Sequence, residues 1–199
     1  MEYYHNLVIE KSWEELQNLR RQLDFVLIGG WAVYLYTKSL KSKDIDIIVD
    51  FDALPTLRKN YNLYKNERLS KYEAVREEVQ IDIYLPHFSR IGIPVEDLLK
   101  NVKELEGFRV LNKDYLLALK IYTLSQRART PKGAKDFIDV VSLMYVSKAD
   151  ISEAKKVLAK YKISRALKTL AEISREVFEI PELNLNKHQF SKLRKSFLV

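Results

Sequence analysis

The stretch Leu27–Asp50, LIGGWAVYLYTKSLKSKDIDIIVD, decides how this chain is read. Only five glycines occur in 199 residues, and two of them stand side by side at Gly29 and Gly30. The apolar FVLI (25–28) just before them reads as a short buried strand. The pair breaks it, and WAVYLYTKSL (31–40) restarts as a helix. DIDIIV (44–49) then reads as a second strand. Side chains alternate across a strand, so Asp44 and Asp46 are expected on one face. Two carboxylates that close repel each other unless a cation lies between them. Mg²⁺ or Mn²⁺ suits that place, because hard cations prefer carboxylate oxygen and complete their shells with water and phosphate. The strand–Gly–Gly–helix junction supplies the complement. It presents backbone N–H groups at a helix N-terminus with no side chain in the way, which is a cradle for phosphate.

Working outward, EVQIDIYL (78–85) is a clear strand. Val79, Ile81, Ile83 and Leu85 share one face, and Gln80, Asp82 and Tyr84 the other. If this strand neighbours DIDIIV, then Asp44, Asp46 and Asp82 meet in one patch. Three carboxylates are what a two-metal centre needs, with metals about 3.5–4 Å apart. KSWEELQNLRRQL (11–23) reads as a helix in which Ser12 and Glu15 have capping-box spacing. DALPTLRKNYNLYK (52–65) reads as helical, with Asp50 and Asp52 as caps. Residues 67–78 show no clear period. PHFSRIGIP (86–94) is a loop.

After Val95 the pattern becomes helical: 112–127, 135–146, 150–161, 163–178 and 187–197, with RARTPKGAK (127–135) as a basic loop. Asp150 and Glu153 again have capping-box spacing. The expected layout is an α/β (α+β) domain over 1–100, a mixed sheet flanked by helices, followed by a helical bundle over 101–199. The first hundred residues hold 14 basic and 16 acidic side chains; the rest hold 20 and 11. An acidic half beside a basic half suits a metal held by one and a polyanion by the other, but on charge alone a solvated basic helical surface is the more ordinary reading. Cysteine is absent, which excludes disulfides and thiolate metal sites. No apolar run reaches the roughly 20 residues that cross a bilayer, and MEYYHNLVIEK lacks the apolar centre of a signal peptide. A cytoplasmic protein without membrane contact is expected.

In the second half, Leu117, Ile121 and Leu124 form an apolar helical stripe, and Lys120 falls on it. A lysine there must snorkel out or meet an anion. Asp136 and Asp139 follow Gly133 and read as favourable charge at the start of a helix; for Asp139 this is the reading adopted. Arg127, Arg129, Lys132 and Lys135 share one segment without an acid, open to the phosphates of a nucleotide or a nucleic acid. His5, His87 and His188 have no metal-binding spacing and read as structural. The tyrosines of YNLYKNERLSKY (61–72) read as amphipathic core and surface residues rather than base-stacking platforms.

The ordered set of strand, Gly29-Gly30, helix, Asp44-x-Asp46 and a later strand acid, Asp82, resembles the DNA polymerase β-like nucleotidyltransferase superfamily. The helical half, with Lys120 in LALKIY and Lys135-Asp136 in AKDFIDVV, resembles most its minimal, abortive-infection toxin-type members. The matching motifs span residues 25 to 145. The resemblance implies that Asp44, Asp46 and Asp82 bind two Mg²⁺ or Mn²⁺ ions and carry catalysis. It implies that Gly29, Gly30, Lys120, Lys135 and Asp136 bind the nucleoside triphosphate, and that the helical domain completes the nucleotide site. The reaction implied is transfer of a nucleoside monophosphate from an NTP to an RNA or tRNA end, a protein side chain or a small molecule, with an antitoxin-like protein as a further partner. Two positions depart from the pattern: Gly30 stands where many members have Ser, and Leu40 where members often have Arg. An arginine fork is not replaced by the nearby Lys41 and Lys43 without loss of geometry. Two other classes compete. One is a nucleotidyltransferase-fold subunit that has lost its chemistry and binds RNA or a partner. The other is a nucleotide-sugar glycosyltransferase, which lacks the upstream Gly-Gly helix. On the snorkelling reading of Lys120, its replacement by Ala leaves the fold intact.

Overall fold

The computed structural model describes residues 2–197, and the side chains from residue 6 onward. Two compact units are found: Met1–Leu35 with Lys41–Leu111, and Tyr36–Leu40 with Asn112–Val199.

The first unit is built on a seven-stranded mixed sheet. Its strands are β1 (Val26–Ile28), β2 (Ile45–Ile48), β3 (Asn62–Asn66), β4 (Lys71–Arg76), β5 (Val79–Tyr84), β6 (Val102–Leu105) and β7 (Phe108–Leu111). Their order is β3-β4-β5-β2-β1-β7-β6. In the centre of the sheet β1 runs antiparallel to β2, and β2 parallel to β5. Ile45, Ile47, Ile81 and Ile83 lie on one face and are wholly buried, as strict alternation requires. The helices of this unit are α1 (Glu2–Gln22), the start of α2 (Gly29–Thr37), α3 (Leu54–Asn60) and α4 (Val95–Leu99).

α1 buries Leu16 and Leu19 and begins nine residues before the Lys11 start its sequence pattern suggests. Ser12 is therefore no cap. It lies in mid-helix, buried, where its Oγ accepts the indole N–H of Trp31 at 2.9 Å. Glu15, its expected capping partner, is also buried. It accepts the Tyr61 hydroxyl at 2.5 Å and faces Arg76 at 3.4 Å.

Three further expectations are corrected. Asn62–Lys65 continues no helix but forms edge strand β3, whose polar residues are mostly exposed. Neither Asp50 nor Asp52 caps the following turn or α3 through its side chain. Residues 102–111, expected in the helical half, form the β6–β7 hairpin of the sheet. Its turn is Glu106-Gly107, with φ of 53° and 76°, so both central residues are left-handed as a type I′ turn demands.

The second unit is helical: α5 (Lys113–Arg127), α6 (Pro131–Tyr145), α7 (Ile151–Lys160), α8 (Ala166–Glu176) and α9 (Lys187–Arg194). The side chains of Asn112, Thr130, Asp150 and Asn186 cap α5, α6, α7 and α9 by accepting N–H groups of the first turn. Asn186 and Gln189 close a reciprocal capping box through both bonds, whereas Asp150 accepts from Ser152. Among the described residues no helix is long and apolar enough to cross a membrane.

Candidate active site

Asp46 and Asp82 are register partners on the neighbouring parallel strands β2 and β5. Directly opposed residues point to the same side of a sheet, and adjacent strands lie about 4.8 Å apart. The two acids that sequence reasoning assigned to different strands are thus neighbours on one face, both partly accessible. Asp44 lies in the bend before β2, not within the strand. The pleat that was expected to orient it beside Asp46 does not extend to it.

α2 begins at Gly29, as the strand–break–helix pattern predicts, with φ of +70°. The reason for glycine here is steric as well as conformational. A Cβ on Gly29 would lie 2.0 Å from Asp46 Oδ2 and 2.5 Å from its carboxyl carbon. The Asp46 carboxylate rests against the bare Cα of the turn that opens the helix. Gly30, buried in the first turn, continues α2.

The row of opposed residues runs further, because Glu73 on β4 is the register partner of Asp82. Lys71, two residues before Glu73 and on the same face, is buried. Its Nζ lies 2.5 Å from Asp82 Oδ2 and 2.9 Å from Glu73 Oε1. Gln80 donates to the other Asp82 oxygen at 2.9 Å, and Asn66 donates to Glu73 at 3.0 Å. Burial pulls the Lys71 ammonium down, but the two carboxylates outweigh it and hold it above the ordinary lysine range. Lys71 in turn holds Glu73 below the ordinary carboxylate range. Sequence reasoning missed Lys71 and Glu73. Their signal was the alternation within KYEAVR, in a segment that showed no clear period.

Among the described residues no group of three or more His, Cys, Asp or Glu side chains is arranged to hold a metal ion. The donor chemistry present is a pair of adjacent carboxylates, Asp46 and Asp82. All-oxygen ligation from one or two carboxylates is the set that suits Mg²⁺, with water and phosphate completing its shell. A metal between them has to share Asp82 with Lys71.

In the helical unit the residues expected at the nucleotide are gathered around Lys120. It lies on the inward stripe of α5, as predicted, and it is buried. The anion it meets belongs to the chain itself. Its Nζ lies 3.1 Å from Asp136 Oδ1 and 2.7 Å from Asp139 Oδ2, both on α6. Asp136 also receives Arg127 at 3.1 Å. The 2.7 Å approach to Asp139 is an ion pair without hydrogen-bond alignment, so neither Asp139 oxygen has a hydrogen-bond partner although the residue is only 1% exposed. Asp139 therefore does not serve the helix dipole as its sequence position suggests. It sits in the third turn of α6, which begins at Pro131 rather than Lys135.

The segment read as a basic loop is largely the first turns of α6, and its cations are partly spoken for. Arg127 pairs with Asp136, and Arg129 pairs with Glu176 through a bidentate contact in which Nε and Nη2 each donate to one carboxylate oxygen. Lys135 lies near enough to Asp139 to favour its charged form. His87 pairs with Glu96 at 2.6 Å on the surface, His188 is exposed, and the His5 side chain lies outside the described residues.

Burial raises the Asp139 carboxyl above its ordinary range, against the pull of Lys120. A carboxyl with a raised folded-state pKa binds its proton more tightly folded than unfolded. Its contribution to stability is present below the unfolded value, about 4, and is lost as pH rises through the folded one. Asp139→Asn is expected to flatten that decline, so that urea midpoints fall less from pH 4 to neutrality than in the parent. An equal decline in both proteins would contradict the assignment.

No family model and no curated protein matches the sequence. Solved structures do match in fold. The antibiotic-resistance factor ANT(2'')-Ia aligns over 89% of this chain and 100% of its own, with TM-score 0.57 and 14% identity. JHP933 from Helicobacter pylori aligns over 96% of this chain and 93% of its own, with TM-score 0.50 and 14% identity. A nucleotidyltransferase-like protein from Paracoccidioides brasiliensis aligns more loosely, over 82% and 91% of the two chains, at 16% identity and TM-score 0.39. At such identities the likeness is one of fold alone: the mixed sheet flanked by helices is an architecture this chain shares with ANT(2'')-Ia and JHP933.

Proposed function

We propose that the protein is a metal-dependent nucleotidyltransferase, moving a nucleoside monophosphate from an NTP to an acceptor and releasing pyrophosphate. The observation that carries the reading is the pairing of Asp46 with Asp82 beside the bare Cα of Gly29. Asp46 and Asp82, with Asp44 ahead of the strand, are the residues assigned to a divalent cation. The ion supplies charge neutralisation at the phosphates when bound.

The chain's own part is positioning and electrostatics. The N–H groups that open α2 at Gly29 and Gly30 are assigned to the triphosphate. Asp82, its carboxylate oriented by Lys71 and Gln80, is assigned to the acceptor hydroxyl and takes its proton. The acceptor oxygen then bonds to the α-phosphorus, and the bond to the β-bridging oxygen breaks. Pyrophosphate leaves with that electron pair. Lys120 and Asp136 enter as the internal frame of the helical unit, and Lys135 remains its candidate for nucleotide binding. An RNA or tRNA end, a protein side chain and a small molecule are the acceptor classes carried forward, and a toxin-like role with an antitoxin-like protein partner goes with this reading.

One observation favours a second reading, a nucleotide- or RNA-binding subunit without chemistry: the Asp82 carboxylate is already held by Lys71. Incubation with α-labelled NTPs, Mg²⁺ or Mn²⁺, total RNA and cell lysate separates the two. Label in any acceptor fraction supports transfer, and bound but unincorporated NTP supports the subunit.

A further inference from the structure

We propose that a groove in the helical unit, between α5 and the α7–α8 connection, binds single-stranded nucleic acid. The groove has a volume of about 400 Å³ and is lined by Tyr122, Ser125, Gln126, Lys162, Arg165 and Thr169. None of these belongs to the Asp46–Asp82 site or to the Lys120 cluster.

The charge is available. Residues 112–199 hold 18 basic and nine acidic side chains. Asp136 and Asp139 are consumed by Lys120, and Glu153, Glu172 and Glu176 pair with Lys156, Lys168 and Arg129. Among the described residues no ion pair holds Lys162 or Arg165, and both are exposed. Two unneutralised cations at the rim of one concavity are a place for phosphates.

Both cations also stand where the local backbone disfavours them. α7 ends in a Schellman motif: the Lys162 N–H reaches Ala159 O at 3.0 Å and the Ile163 N–H reaches Leu158 O at 2.9 Å. That motif puts Lys162 at φ +59°, the position glycine usually fills. Arg165 occupies the N-cap of α8 with no side-chain cap, and a cation there opposes the helix dipole. Neither residue is what capping alone would select.

The interior of the groove is suited to a base. Tyr122 offers a half-buried ring, Gln126 an exposed amide, and Ser125 and Thr169 hydroxyls. Gln126 uses its amide nitrogen to donate to Ser125 Oγ at 3.2 Å, and its amide oxygen is an acceptor type that a base edge can meet. An aromatic face with flanking cations and a few adaptable polar groups is how unpaired strands are held without strong sequence preference. The volume fits an unstacked nucleotide and is too small for a duplex.

The test is fluorescence anisotropy with a labelled oligouridylate, in EDTA and without NTP. It reads this groove independently of transfer, so its failure leaves the transferase reading standing. Wild type is expected to bind, with an affinity that falls steeply with salt. Tyr122→Leu should weaken binding about tenfold or more, the size of one lost base stack. Lys162→Gly combined with Arg165→Ala should lower the salt slope by about 0.7 for each phosphate contact removed. Glycine suits the Lys162 backbone, so that variant should melt no lower than its Arg165→Ala parent. Equal affinity in wild type and variants would overturn the proposal. So would a duplex of the same length, or an acidic polypeptide, bound as tightly and weakened equally by the substitutions. Competition by free UMP as effective as by the oligomer would also overturn it.

Discussion

Lys120→Ala is expected to lose about 3–5 kcal/mol of stability in the helical unit, the cost of removing one partner from a buried ion pair. Asp136 and Asp139 are 3% and 1% exposed, and Lys120 is the cation they share. Without it, Arg127 still reaches Asp136, but Asp139 keeps two oxygens with no hydrogen-bond donor. Its options are to take up a proton or to open the α5–α6 contact to water. The loss should therefore shrink as pH falls toward 4, where protonation removes the stranded charge. Replacing all three residues together, Lys120→Met with Asp136 and Asp139→Leu, should cost far less than the single change, because apolar side chains of similar volume leave no buried charge. Urea unfolding of both variants at pH 7 and pH 4.5 checks the account. A single variant as stable as its parent would put Lys120 back on the surface, where the snorkelling reading placed it.

Gly29→Ala is expected to be nearly as damaging, through geometry instead of charge. At φ +70° a residue with a Cβ is strained by about 1–2 kcal/mol. The new methyl would also need the space of the Asp46 carboxylate, 2.0 Å away, and overpacking of this kind costs about 1–3 kcal/mol more. Both can be relieved only by moving Asp46 or the start of α2. On the proposed mechanism either movement separates the metal ligand from the phosphate cradle, so transfer should fall to background even where the fold survives. Differential scanning calorimetry and the transfer assay, run on the same preparation, separate the two effects. A variant with parental melting and parental transfer would show that the close approach of Gly29 to Asp46 has no functional weight.

Much of the first unit is legible in its sequence because its signals are local. The alternation of Val79, Ile81 and Ile83 against Gln80 and Asp82 survives intact in β5, and the Gly-Gly break opens α2 where expected. What is not legible is which strand lies beside which. Asp46 and Asp82 are 36 positions apart, and only the sheet order makes them register partners. The β6–β7 hairpin is hidden for a different reason. Its left-handed turn is Glu106-Gly107, whereas Asn-Gly or Asp-Gly is the pair that signals such a turn. Edge strand β3 is hidden because NLYKN is polar and mostly exposed, so apolar periodicity has nothing to report.

The helical unit shows the same limit at a single residue. The stripe of Leu117, Ile121 and Leu124 puts Lys120 inward, where it must either snorkel out or meet an anion, and it meets one. The identity of that anion depends on how α6 packs against α5. Asp139 is placed at a helix start by its sequence neighbours, but the Thr130-Pro131 start moves it into the third turn. Lys71 escapes notice because a lone lysine in a segment without period reads as surface. Its charge is met by Asp82 from the neighbouring strand β5 and by Glu73 two residues along its own strand, a pairing only the sheet order creates.

The central claim is that the Asp46–Asp82 pair performs metal-dependent nucleotidyl transfer. It is tested most directly by incorporation of α-labelled NTP into RNA or lysate acceptors with Mg²⁺ or Mn²⁺, comparing the parent with Asp46→Asn. The account predicts incorporation by the parent that EDTA abolishes, and none by Asp46→Asn even though that variant, relieved of carboxylate repulsion, folds and melts at least as high as the parent. Incorporation by a folded Asp46→Asn variant at the parental rate would contradict it.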